Sequence, residues 1–386
     1  MYLSRDKKCF GPALVITALA LFFCATIFLS PAVRGQKIKQ LPPPPPGPRF
    51  KAKPTPTPAP TPEPEYEVVR ITSNLVIVPV SVTDGQGQPV LGLKQNDFHI
   101  TEEGRAQQIA QMGDPEQVPL DIAILIDVSS SVSERFAFEE LAATSFLKQV
   151  LRPTDSATVY AIDRTPRLEQ SRTSANVAAA KLMTIKAATG PSPTAFYDTV
   201  SEAARYLAKN TPEQHRRVLV VISDGEDNFS NRVRDSAVAA YRATQSEDDS
   251  PAARRRIRAA SEAALLEGHR KAQAEVLRDV QTANAVFYSI NPSGKSIRLN
   301  NISMRAQTAM HQLAEATGGS AFLPEGTAAL NGVFIRIASE LRAQYLLQYY
   351  SNHESSGTAY RHIVITTPDH SQFRVRAREG YYPKGK

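Results

Sequence analysis

Uninterrupted apolar runs alternate with helical segments through the middle of the chain. The run Ile122–Ile126 contains no polar residue, which is typical of a strand buried on both faces of a sheet. The strands predicted in this region are Ile122–Ile126, Ala157–Ile162, Val218–Ile222, Ala285–Ile290 and Ser320–Leu323. The helices predicted between them are Glu134–Val150, Asn176–Ala188, Ala195–Lys209, Thr308–Ala316 and Ala328–Gln344. This alternation predicts a doubly wound, mostly parallel α/β sheet.

Shorter segments on both sides of this region have the pattern of antiparallel strands. Leu75–Val82 places four valines on one face, and Pro79 on the other face indicates an edge position. The other predicted strands are Phe98–Glu102, Gln107–Met112, Leu346–Tyr350, Tyr360–Thr366 and Phe373–Ala377. Turns are expected at Glu103-Gly104, within a hairpin, and near Gly357, between the first two C-terminal strands. The economical interpretation is one small antiparallel β domain, built from both flanking segments and interrupted by the α/β domain.

A charged, alanine-rich stretch between Val233 and Thr282 predicts one or two exposed helices. It contains Arg254-Arg255-Arg256, which would suit an acidic partner, but acidic residues along the same stretch offset much of this charge. A solvated helical face is the preferred interpretation.

The N-terminus has the pattern of an export signal. Residues Phe10–Leu29 are almost entirely apolar and follow three basic residues. The stretch exceeds the usual signal-peptide core of about 7–15 residues and reaches the length of about 20 that a spanning helix needs, so a cleaved signal and a retained membrane anchor both stay open. Either one predicts an exported protein that is periplasmic, displayed on the cell surface or secreted.

A proline-rich segment follows the leader. Twelve of the 28 prolines lie between Pro42 and Pro64. Leu41–Glu65 in a polyproline II conformation would span roughly 75 Å, which favours a semi-rigid spacer over a ligand for a proline-binding domain. The predicted division is therefore a leader (1–36), a linker (37–65), an N-terminal β segment (66–119), the α/β domain (120–344, with the helical insertion 233–282) and a C-terminal β segment (345–386).

The positive charge belongs mostly to the leader and the linker. The whole chain carries a net charge of +7, of which residues 1–36 and 37–65 contribute +3 each and residues 66–386 only +1. Because a nucleic-acid-binding surface needs its basic residues clustered on the fold, this distribution argues against nucleic acid as a partner. Both cysteines, Cys9 and Cys24, also lie in the leader, so the folded part does not depend on disulfides.

Three oxygen-rich loops follow predicted strands or open predicted helices. Asp127, Ser129 and Ser131 come directly after Ile122–Ile126, Asp224 comes after the strand Val218–Ile222, and Thr194 precedes a helix. Since the carboxyl ends of parallel strands form the ligand-binding edge of such a sheet, these side chains are expected to meet there. Singly, each loop has the pattern of an ordinary helix cap or turn. Together they predict a site for Mg²⁺, or for Mn²⁺ or Ca²⁺, because the donors are all hard oxygens.

At these residues the sequence resembles the von Willebrand factor A family. The loop Asp127-x-Ser129-x-Ser131, Thr194 and Ser223-Asp224-Gly225 match its metal-ion-dependent adhesion site in order and context. The flanking β segments look like those of a bacterial subgroup of exported relatives. One departure is Pro191-Ser-Pro193 before Thr194, where the family commonly has glycine.

The resemblance implies that Asp127, Ser129 and Ser131 hold the ion, with Thr194 and Asp224 contributing directly or through water. It also implies a protein partner whose acidic side chain completes the metal site. The expected function is cation-dependent binding in the cell envelope, without catalysis. A metal-dependent hydrolase using the same ion and a purely structural envelope protein are the alternatives.

Overall fold

The apolar runs form the strands of three sheets in the computed structural model, which describes residues 75–129, 135–190, 192–243, 250–294, 301–353 and 358–383. The predictions for the leader, the proline-rich segment, Ser131 and Gly357 lie outside these residues. The strands are β1 (Leu75–Thr83), β2 (His99–Glu102), β3 (Arg105–Gln107), β4 (Ile109–Gly113), β5 (Leu120–Asp127), β6 (Ser156–Ile162), β7 (Arg167–Thr173), β8 (Arg216–Ile222), β9 (Ala285–Ile290), β10 (Ala321–Phe322), β11 (Tyr345–Tyr350), β12 (Arg361–Thr366), β13 (Arg374–Arg376) and β14 (Gly380–Tyr381). The helices are α1 (Phe136–Val150), α2 (Ala175–Leu182), α3 (Phe196–Asn210), α4 (Asn231–Ala243), α5 (Pro251–Thr282), α6 (Asn301–Thr317) and α7 (Thr327–Ala343).

The central sheet has six strands in the order β10-β9-β8-β5-β6-β7, all parallel except β7. Every residue of β5, β6, β8 and β9 is buried, because helices cover both faces. One apolar core lies under α1, α2 and α7, and the other under α3, α5 and α6. The predicted doubly wound α/β fold is therefore confirmed.

Two antiparallel sheets complete the fold, in the orders β13-β1-β11-β4 and β14-β12-β2-β3. Each combines strands from before and after the α/β region, as predicted, and they share a third apolar core. The valines of β1 point into that core. Pro79 is tolerated because β13 pairs with β1 only from Ser81 onward, which leaves one side of β1 unpaired at the proline.

Some boundaries and pairings differ from the prediction. Helix α2 ends at Leu182 and not at Ala188, because the Ala188 N–H donates to the Val128 carbonyl oxygen (2.7 Å) and ties this segment to the loop after β5. The sequence prediction missed strands β7 and β14. It also took Gln107–Met112 as one strand of a hairpin, whereas β3 is the hairpin partner of β2 and β4 pairs with β11 in the other sheet. It also joined β11 and β12 by a turn, whereas these strands lie in different sheets.

The charged stretch forms two helices, α4 and α5. The expected exposure holds for the N-terminal half of α5. Its C-terminal half is partly buried, with Ala272, Val276 and Val280 in the core shared with α3. None of the helices that the structure describes combines the length and apolar character needed to cross a membrane.

Candidate metal centre

Asp127 ends β5 at the carboxyl edge of the central sheet, where it is fully buried. Both of its carboxylate oxygens accept hydrogen bonds. The Ser129 N–H donates to Oδ1 (2.8 Å), and the Ser223 hydroxyl donates to Oδ2 (2.6 Å). Because Ser223 follows the adjacent strand β8, this second bond joins two of the predicted metal loops.

The loop after β8 is shaped around Ser223. Its hydroxyl accepts a hydrogen bond from the Gly225 N–H (2.9 Å). Gly225 has a φ of 76°, in the left-handed region, and a Cβ there would meet the Met310 side chain. In the same loop Asp224 accepts a bond from the Glu226 N–H (3.1 Å) and stays partly exposed. Asp224 therefore presents its carboxylate at the edge, beside the buried Asp127.

Thr194 is tied to the same loop by three hydrogen bonds. Its N–H donates to the Asn228 side-chain oxygen (2.8 Å), and its carbonyl accepts from the N–H groups of Asn228 and Phe229 (3.1 Å each). The nearby Asp227 serves a structural role, because it accepts from the Tyr197 N–H at the start of α3 and from Ser230. We call residues 127–129, 192–195 and 223–228 the three-loop site.

The structure thus brings Asp127, Ser129, Thr194 and Asp224 to one edge of the sheet, as the sequence predicts. Ser131 falls within residues 130–134, outside those described. Sequence reasoning gave no role to the Ser223 hydroxyl or to Asn228, which hold the loops together. It also did not predict the burial of Glu139 in α1, although this acid lies on the side of the helix that carries Phe136 and Ala143.

Burial has the largest effect on the pKa of the Asp127 carboxyl. Desolvation raises the pKa of Asp127 to about 6, and the charge of Asp224 adds to the rise. The hydrogen bonds from Ser223 and Ser129 oppose it. A positive ion at this edge would favour the ionised carboxylate.

The donors suit a hard divalent cation. They are two carboxylates and several hydroxyls, and the part of the chain that the structure describes contains no group of three or more His, Cys, Asp or Glu side chains arranged so that together they could hold a metal ion. Mg²⁺ needs only one or two carboxylates and keeps several water ligands, so this donor set fits it. When bound, the ion would supply an electrophilic centre for an anionic oxygen of a partner.

Comparison with known proteins places this region in a family. Residues 122–226 match the model of the von Willebrand factor type A domain. A search of curated protein sequences gives no significant match.

Similar solved structures share little sequence with the chain. An aerotolerance-related membrane protein from Bacteroides fragilis is 15% identical, over 57% of this chain and 98% of its own, with a TM-score of 0.38. The vWF domain of the type V pili tip protein Mfa5 from Porphyromonas gingivalis is 13% identical, over 57% and 94%, with a TM-score of 0.39. Proximal thread matrix protein 1 from the mussel byssus, with a zinc-occupied MIDAS motif, is 13% identical, over 59% and 47%, with a TM-score of 0.37.

Proposed function

The chain contains a von Willebrand factor type A domain, and on this basis we propose that it is an exported binding protein of the cell envelope. A divalent cation at the three-loop site would hold an acidic side chain of a partner protein. The proposed ligands are Asp127, Ser129, Ser131, Thr194 and Asp224. The leader pattern of residues 10–29 supports export, with the membrane anchor and the cleaved signal both retained as possibilities.

One observation carries this proposal. The Ser223 hydroxyl joins the buried Asp127 carboxylate to the loop that presents Asp224. Asn228 of that loop in turn holds Thr194. Three loops that are distant in sequence are therefore assembled around oxygen donors, which simple helix caps would not require.

The donor chemistry favours binding over catalysis. Few protein carboxylates leave the ion electrophilic, so an anionic oxygen of a partner is a natural additional ligand. A hydroxyl nucleophile would need a general base. Each of the seven histidines lies in a segment other than the three loops, for example His215 before β8 and His269 in α5.

The proposal is tested by capture of partners from an envelope extract of the source organism with the full chain as bait. We expect specific partners to be retained in Mg²⁺ and released by a chelator. Asp127→Ala should lose them in both conditions, whereas Asp235→Ala, which removes an exposed carboxylate on α4, should behave as the parent. Equal capture in chelator would contradict the cation-dependent function. Turnover of ester or phosphoester substrates that disappears in Asp224→Ala would favour a hydrolase instead.

A further inference from the structure

Glu139 is a buried acid without an evident structural purpose. It lies near the start of α1, on the side of the helix that carries Phe136 and Ala143 into the core. Its side chain is fully buried, and neither carboxylate oxygen has a hydrogen-bond partner among the described residues. A carboxyl group in this position loses its hydration and gains nothing in return.

Among the described residues, the other two buried glutamates, Glu102 and Glu340, have hydrogen-bond partners. Glu102 accepts hydrogen bonds from the Tyr349 and Ser351 hydroxyls (2.7 Å each). Glu340 accepts one from the Tyr288 hydroxyl (2.8 Å) and forms an ion pair with Arg376 (2.6 Å). Glu139 therefore differs from these two glutamates, because it alone of the three has no hydrogen-bond partner among the described residues.

The location of Glu139 connects it with the three-loop site. Helix α1 begins shortly after the loop that carries Asp127 and Ser129. The face of α1 that carries Glu139 packs into the same apolar core as Ile126 and Val128, the two neighbours of Asp127 in the chain. Burial is the main reason that the Glu139 pKa is raised, and the charges of Asp127 and Asp224 raise it further. Arg135, one turn earlier, opposes this rise, and its guanidinium also donates to the Ser293 hydroxyl (2.9 Å).

We propose that Glu139 is a positioning residue of the cation site, which does not touch the ion but accepts hydrogen bonds from its water ligands. Hydrated Mg²⁺ or Mn²⁺ supplies the hydrogen-bond donors that Glu139 lacks among the described residues, and it adds positive charge to that of Arg135. Glu139 would hold these water ligands in place. One coordination position of the ion would then be available for the acidic side chain of the partner. This inference rests on the proposed function of the same site.

The test is calorimetric titration of the full chain with Mg²⁺. Outer-sphere partners of metal sites typically change affinity by about 10–100-fold, so Glu139→Gln should weaken binding by that factor. Glu140→Gln removes the neighbouring charge, and Glu340→Gln alters a buried glutamate that is bonded elsewhere. Both controls should bind Mg²⁺ within about twofold of the parent.

The outcomes separate the two proposals. If Asp127→Ala abolishes binding while Glu139→Gln binds as tightly as the parent, Glu139 has no part in a genuine site and this inference is wrong. If the parent itself binds no Mg²⁺, the proposed function fails and this inference fails with it.

A second measurement does not depend on affinity. In metal-free buffer, Glu139→Leu should melt at or above the temperature of the parent, because an unpaired buried acid is replaced by an apolar side chain. Added Mg²⁺ should then raise the melting temperature less in the variant than in the parent. A metal-free Glu139→Leu protein that melts well below the parent would mean that the carboxyl stabilises the fold, and would overturn the inference.

Discussion

Two buried acids, Asp127 at the end of β5 and Glu139 in the first turn of α1, differ in their hydrogen-bond partners. Asp127 accepts hydrogen bonds from Ser129 and Ser223, so its position is fixed before any ion binds. Glu139 has no such partner among the described residues. The sequence could identify Asp127 because it directly follows an apolar strand. It could not identify Glu139, because a glutamate within an amphipathic helix ordinarily faces solvent.

The metal-free protein should lose stability as the pH rises toward 8. Burial raises the pKa of Glu139 from its ordinary 4.5 to about 8, with Asp127 and Asp224 adding and Arg135 opposing. Because the folded state holds this proton more tightly than the unfolded state, the stabilisation is complete below about 4.5 and is lost as the pH passes through about 8. Asp127 behaves in the same way between its ordinary 3.8 and about 6.

The measurement is the free energy of unfolding in urea, in metal-free buffer between pH 5 and 8.5. The decline should continue above pH 6.5 in the parent and be absent there in Glu139→Gln, because the raised pKa of Asp127 lies near 6 and the lowered pKa of His269 changes stability only below about 6.5. Parallel curves for the two proteins would show that Glu139 does not titrate as described.

For single helices and strands, the sequence predictions failed at helix ends and at edge strands. Strands β5, β8 and β9 were predictable because burial on both faces leaves an uninterrupted apolar run. Strand β7 was missed because it is a sheet edge whose residues are polar and largely exposed. The end of α2 was misplaced because it depends on a tertiary hydrogen bond between Ala188 and Val128.

Close contact between α4 and α5 requires a glycine. A Cβ at Gly268 of α5 would collide with the Ser236 side chain of α4. We expect Gly268→Ala to lower the free energy of unfolding by about 1–3 kcal/mol, through overpacking. Gly332→Ala in α7 is the matched control, because nothing lies within 4 Å of its would-be Cβ. This control should stabilise by about 0.5–1 kcal/mol, as alanine does in helices.

Urea unfolding of both variants tests this packing, and hydrogen exchange locates the effect. Amide protection should fall in α4 and the adjoining part of α5 in Gly268→Ala only. Equal stability of the two alanine variants would contradict the close approach of the helices.

For the whole molecule, buried polar networks connect the β sheets to the α/β region. Glu340 of α7 contacts Ser81 of β1, Tyr288 of β9 and Arg376 of β13. Arg216, at the start of β8, donates to the Leu341 carbonyl at the end of α7. Arg216 lies at the amino-terminal end of β8, opposite the end that carries Ser223 and Asp224.

The sequence predicted that both flanking segments form one antiparallel domain, but it did not predict which strands pair. Because β12 follows β11 directly in the chain, the two strands were expected to pair in one sheet. Instead β11 pairs with β1 and β4, and β12 with β2 and β14. Such long-range pairing depends on the shared core and not on any local turn signal.

The central claim is that the three-loop site binds one divalent cation. It is tested most directly by titrating the full chain with Mn²⁺ and following the free ion by electron paramagnetic resonance. We predict one Mn²⁺ per chain, displaced by Mg²⁺, with affinity reduced more than about 100-fold in Asp127→Ala and in Asp224→Ala and unchanged in Asp235→Ala. Absence of saturable binding in the parent, or equal binding in all four proteins, would contradict the claim.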